Sequence, residues 1–93
     1  IKECLDTNWV SSVGSFVDKF EKDFAEYVGA KYAVSVVNGT AALHMALQII
    51  GVEQNDYVIA PNITFIASIN AIKYCYAYPI LIDVLPDTWQ MDV

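Results

Sequence analysis

Residues 34–46 read Val34-Ser35-Val36-Val37-Asn38-Gly39-Thr40-Ala41-Ala42-Leu43-His44-Met45-Ala46. A β-branched, apolar run breaks at Asn38-Gly39, and a dense run of helix formers starts at Thr40. The pattern predicts a buried strand that turns into a helix within two residues. Such a junction attracts anions, because the first N–H groups of a helix have no internal partner and its dipole puts partial positive charge there. Gly39 lets a ligand come close to the backbone, and the Thr40 hydroxyl adds a donor. The same residues also read as an ordinary strand-to-helix turn.

Outward from this turn, the order of elements predicts α/β architecture. On the amino-terminal side, Lys31 to Val37 is continuous enough for a strand covered on both faces, as in parallel sheets. Before it, Ser15 opens a helix with capping-box spacing to Asp18. Phe16, Phe20, Phe24 and Tyr27 form one stripe on that helix, read as core, and Gly29 ends it. The pairs Asp18–Lys22, Lys19–Asp23 and Lys22–Glu26 fall at helical spacing on the other side. A short helix over Ile1 to Thr7, closed by Asn8, comes first. Between the two helices, Trp9 to Gly14 reads as a loop, and its two hydroxyls, Ser11 and Ser12, suit the edge of a site.

On the other side, Ala41 to Ile50 is apolar nearly all round and is expected to be buried. His44, the only histidine, is read as packed and hydrogen-bonded. Gly51 and Asn55 mark turns, the latter in a left-handed conformation. Tyr57 to Ala60 is a second strand ended by Pro61. Thr64 is the expected cap of a further helix that Phe65 opens, and Pro79 to Val84 is a third strand. Strands joined by helical crossovers of this length pair in parallel, and ligands then gather beyond their carboxyl ends. Asn38-Gly39-Thr40, Thr64-Phe65 and Asp83 all fall there.

Composition narrows the function classes. Of the 93 residues, 56% are hydrophobic and 17% charged, against roughly 45–50% and 25% in ordinary globular chains. So apolar a surface is expected to meet more protein, and residues 1–93 read as part of a larger domain. The net charge of −6, with five lysines and no arginine, argues against nucleic-acid binding. No apolar run reaches the roughly 18 residues of a membrane span, so a soluble, cytoplasmic protein is expected. Cys4 and Cys75 lie far apart and match neither a metal site nor a disulfide framework, so both are read as reduced thiols.

With these residues in place, the chain resembles the amino-terminal part of the DegT-like sugar aminotransferases, which depend on pyridoxal 5'-phosphate and share the aspartate aminotransferase fold (fold type I). The resemblance runs through Trp9-Val10-Ser11-Ser12, Phe16-Val17-Asp18-Lys19-Phe20-Glu21, Tyr32-Ala33-Val34, Asn38-Gly39-Thr40-Ala41-Ala42-Leu43-His44, Thr64-Phe65-Ile66-Ala67, Asn70-Ala71-Ile72, Ile82-Asp83-Val84 and Asp87-Thr88. It covers essentially the whole chain, and its opening is similar to perosamine-type and legionaminic acid-type 4-aminotransferases. The resemblance implies an α/β segment, residues 1–93, that begins the large cofactor-binding domain. It implies that Gly39, Thr40 and Ala41 hold the cofactor phosphate, that Phe65 stacks on its ring, and that Ser11 and Ser12 approach the sugar. It further implies a homodimer that moves an amino group from glutamate to a 4-keto-6-deoxy nucleotide sugar. No lysine here matches the one that forms the Schiff base, which is expected beyond Val93, so residues 1–93 carry no catalytic residue and are expected to be inactive alone. Two alternatives stand beside this: a sugar dehydratase of the same fold, and a non-catalytic α/β phosphate-binding module with Phe65 in its core. The latter is disfavoured, because the sequence holds neither a P-loop nor a GxGxxG pattern.

Overall fold

The structure, a computed structural model, describes residues 1–10 and 13–93 and divides into two units, residues 1–35 and 36–93. In the first unit, α1 (Lys2–Asp6) is closed by Thr7, whose hydroxyl and N–H both bond to the Glu3 carbonyl, and Asn8 takes a left-handed φ of 58°. Trp9 then folds back, its N–H bonding to the Cys4 carbonyl. A Cβ on Gly14 would stand 3.3 Å from the Trp9 ring, and the Gly14 φ of 142° disfavours any other residue.

Helix α2 (Ser15–Val28) forms as expected and ends in left-handed Gly29, after which the Ala30 N–H returns to the Ala25 carbonyl. Its start differs from expectation. Gly14 occupies the cap position and its carbonyl accepts from Val17 and Asp18, so Ser15 is already helical and no capping box forms. Of the three expected pairs only Lys19–Asp23 is made among the described residues. The aromatic stripe is not core here. Phe20 and Phe24 stack with ring centroids 5.9 Å apart, but all four aromatics are exposed, because no element of this unit among the described residues covers them.

The expected strand over 31–37 does not form. A strand exists only by its ladder, and among the described residues this segment pairs with no other. In the second unit, α3 (Gly39–Ile49) has no fully buried residue, so the expectation of a buried helix also fails. Gly51 and Asn55 turn the chain with φ of 88° and 73°. They lead into β1 (Tyr57–Pro61), α4 (Ile66–Tyr74) and β2 (Tyr78–Ile82). The strands pair in parallel, from Tyr57 opposite Tyr78 to Pro61 opposite Ile82. This is the expected α/β unit, with β2 shorter than predicted. Beyond it, Asp83 turns the chain by accepting the Val84 N–H, and Val84 forms an antiparallel bridge with Met91.

Helix α4 packs on both strands and on α3. The core is small-chained: Ala60, Ile72, Cys75 and Ala77 are buried together, with Leu47, Val52, Val58 and Ile69 against them. Ala71 and Ala77 have no exposed surface. Small side chains let the helix come close to the strands, and Pro79 opposite Val58 sits near the start of β2, where a missing N–H is tolerated. Cys75 and the half-buried Cys4 are free thiols. No helix among the described residues is long and apolar enough to cross a membrane.

Ile72→Ala should destabilise the second unit by about 2–5 kcal/mol, because it opens a cavity among side chains too small to refill it; the urea midpoint measures this.

Candidate functional site

The start of α3 is built by Asn38. It lies in extended backbone at the cap position, and its side-chain Oδ1 accepts the Ala41 N–H at 2.9 Å while its carbonyl accepts the Ala42 N–H at 3.1 Å. This is the bonding an N-cap asparagine offers. Sequence reading alone overlooks this role. The signal was a preferred cap residue directly before the first helical position, and attention to Gly39 hides it.

The cap divides the four unpaired donors of the helix start. Ala41, expected to face a phosphate, has its N–H committed to Asn38, and could serve a ligand only by sharing that bond. The N–H groups of Gly39 and Thr40 have no partner among the described residues, nor does the Thr40 hydroxyl. Gly39 is exposed and Thr40 half-buried.

A Cβ at Gly39 would meet nothing within 4 Å, and its φ is not one that demands glycine. Neither the fold nor the backbone therefore requires glycine there, and its absent side chain leaves the two N–H groups open to a group from outside. With no arginine in the chain, N–H groups and a hydroxyl supply this site's donors. The arrangement fits an oxyanion of phosphate size.

Phe65 stands at the carboxyl end of the sheet. Pro61 and Ile82 are the last paired residues, and the Asn62 N–H closes onto the Ile82 carbonyl at 2.7 Å. The chain then crosses to Phe65, which caps α4 with no side-chain bond and is 79% exposed. Thr64, the expected cap, lies one residue too early because Ile66 is the first helical residue; its hydroxyl is 3.5 Å from that of Ser68. Asp83 follows β2 at the same end. The structure thus sets Gly39, Thr40 and Ala41 on one helical turn and Phe65 on another helix start within the same unit. Ser11 and Ser12 lie outside the described residues.

His44 is packed, but its hydrogen bond is missing. Its ring meets Tyr74 edge-on with centroids 5.6 Å apart, and its buried Nε2 has no hydrogen-bond partner among the described residues.

A parallel pair covered by α4, with an anion-ready helix start and an aromatic helix cap in the same unit, suits one class of protein. Residues 1–93 match the DegT/DnrJ/EryC1/StrS aminotransferase family, and the chain belongs to it. It is 52% identical over 93 residues to a GDP-perosamine synthase of Escherichia coli O157:H7 and 50% identical over 92 residues to one of Caulobacter vibrioides. The matches take in 100% and 99% of this chain but 26% and 25% of those proteins, so the chain spans about a quarter of their length.

Among solved structures, it superposes on NtdA of Bacillus subtilis, which holds the cofactor PMP, with a TM-score of 0.93 and 31% identity. That match covers 98% of this chain and 21% of NtdA. A DegT/DnrJ/EryC1/StrS aminotransferase of Brucella abortus gives a TM-score of 0.88 at 31% identity, covering 98% of this chain and 24% of its own. The fold is therefore an α/β piece of the fold type I aminotransferase architecture.

Asn38→Ala should cost about 0.5–2 kcal/mol of stability by leaving the Ala41 N–H without its acceptor, and urea unfolding measures the loss.

Proposed function

We propose that this chain is the amino-terminal part of a pyridoxal 5'-phosphate-dependent aminotransferase. It passes an amino group from glutamate to C4 of a GDP-linked 4-keto-6-deoxy sugar, for the synthesis of a surface polysaccharide. The observation that carries the reading is Gly39: among the described residues its N–H and that of Thr40 have no partner, and no atom occupies the space a side chain would fill. The identities to GDP-perosamine synthases, including 42% to that of Vibrio cholerae, support the choice of sugar nucleotide. A spore coat polysaccharide biosynthesis protein of Bacillus subtilis, 40% identical, supports the biosynthetic setting.

In this reading the Gly39 and Thr40 N–H groups and the Thr40 hydroxyl hold the cofactor phosphate, with Ala41 completing the turn. Phe65 covers one face of the ring; its exposed side chain is free to do so, and stacking contributes roughly 0.5–1.5 kcal/mol beyond area burial. Ser11 and Ser12 are assigned to the sugar. When bound, the cofactor supplies an electron sink for the amino transfer. This chain's part is to bind and orient, and none of its five lysines is assigned to the chemistry. The working protein is a cytoplasmic homodimer.

The test is to incubate the full-length protein with pyridoxal 5'-phosphate, glutamate and a GDP-linked 4-keto-6-deoxy sugar, following the amino sugar nucleotide by mass spectrometry. Formation of that product in step with loss of glutamate is expected; a dehydrated sugar instead would overturn the reading.

Thr40→Val should weaken retention of pyridoxal 5'-phosphate, because a donor is lost while shape is kept. Gly39→Ala should weaken it too while raising stability by about 0.4–1 kcal/mol, since the added methyl meets no atom of the described residues. Equilibrium dialysis and urea unfolding separate the two effects.

A further inference from the structure

Ser35 stands four residues before Gly39 in the chain, and one side chain holds it. Glu21, in the second turn of α2, accepts both the Ser35 N–H and the Ser35 hydroxyl on the same oxygen, Oε1, each at 2.7 Å. The two residues are fourteen apart. Segment 30–35 leaves α2 through left-handed Gly29 and runs back along the helix until Ser35 reaches Glu21.

Between Lys31 and Val37, this is the only backbone hydrogen bond among the described residues. It takes the donor that the expected strand would have given to a ladder. Asp18, Lys22, Glu26, Lys31 and Tyr32 line the same groove as Glu21, yet none bonds to its carboxylate among the described residues.

We propose that Glu21 is a positioning residue: its carboxylate fixes the backbone at Ser35 and so restrains the stretch that leads into the Gly39–Thr40 turn. Two donors on one oxygen set both the backbone and the side-chain rotamer of Ser35. Without them, the backbone and the side chain of Ser35 each lose the acceptor that holds them, and the ordering they provide is lost. The consequence for the cofactor rests on the function proposed above, whereas the consequence for the backbone does not.

The bond is charge-assisted. The Ser35 N–H first, then its hydroxyl, hold the Glu21 carboxyl below the usual carboxylate range, against a smaller opposing effect of burial. A lowered value means that the latch contributes fully above the ordinary carboxylate range and weakens as pH falls through the lowered value.

The experiment uses the full-length protein and its Glu21→Ala, Glu21→Gln and Ser35→Ala variants. Amide hydrogen exchange over residues 31–37 is measured without cofactor, and affinity for pyridoxal 5'-phosphate by dialysis. Glu21→Ala should speed exchange several-fold and weaken cofactor affinity several-fold. Glu21→Gln keeps the oxygen that accepts both bonds but not the charge, so it should fall between wild type and Glu21→Ala, and its difference from wild type should close in acid. Ser35→Ala, which loses one bond of two, should also be intermediate. Unchanged exchange in Glu21→Ala, or faster exchange with unchanged cofactor affinity, would overturn the proposal. Failure of the wild-type protein to form the amino sugar would overturn the proposed function alone, because exchange at residues 31–37 does not depend on it.

Discussion

The start of α3 must dispose of four backbone N–H groups that the helix itself cannot pair. Asn38 decides how. Its carbonyl accepts the first bond of the helix from Ala42, its side chain takes the Ala41 N–H, and the N–H groups of Gly39 and Thr40 are left without a partner among the described residues. In a chain of net charge −6 without arginine, that turn offers an anion partial positive charge from the backbone. The rest of the second unit keeps the turn in place: α3 lies on α4, and α4 lies on the parallel strands.

The core that holds those layers together is unusual in its side chains. Alanines at 60, 71 and 77 are among its buried residues, and among the described residues Ile72 is the one large aliphatic side chain buried with them. Small residues permit close approach but remove little area from water, so each contributes little hydrophobic stabilisation. Meanwhile Phe16, Phe20, Ile49 and Tyr57 stand exposed. A chain that is 56% hydrophobic yet buries mainly alanine has apolar surface suited to further protein, in keeping with relatives about four times as long.

What the sequence alone revealed follows the range over which each feature is determined. Gly29, Gly51 and Asn55 were legible because a left-handed turn is a matter of one residue's sterics. The strand pair was legible because its two apolar runs flank a helix of crossover length. Caps at Ser15 and Thr64 missed by one position, since adjacent residues compete for the same few N–H groups and the winner depends on where the chain enters. The strand over 31–37 could not be judged from within, because a ladder needs a partner that its own residues do not specify. The bond between Glu21 and Ser35 spans fourteen residues and has no local pattern. In the candidate site, Gly39, Thr40 and Phe65 were legible as residue types at punctuation points, while the commitment of Ala41 to Asn38 was a matter of geometry.

The two helix starts of the second unit differ in a way that bears on the proposed ligand. At α3 the cap is an asparagine that organises donors, followed by a glycine that clears the approach to them. At α4 the cap is Phe65, which offers the helix no acceptor and holds its ring in the open. A phenylalanine at a cap sacrifices the stabilisation that Ser, Thr, Asp or Asn would give, typically about 1 kcal/mol. Thr64 is adjacent and could have provided it had the helix begun one residue earlier. That the chain places an exposed aromatic there instead matches a role in contact rather than in capping. One start donates hydrogen bonds and the other presents a flat apolar face, the two demands made by a planar ring that carries a phosphate.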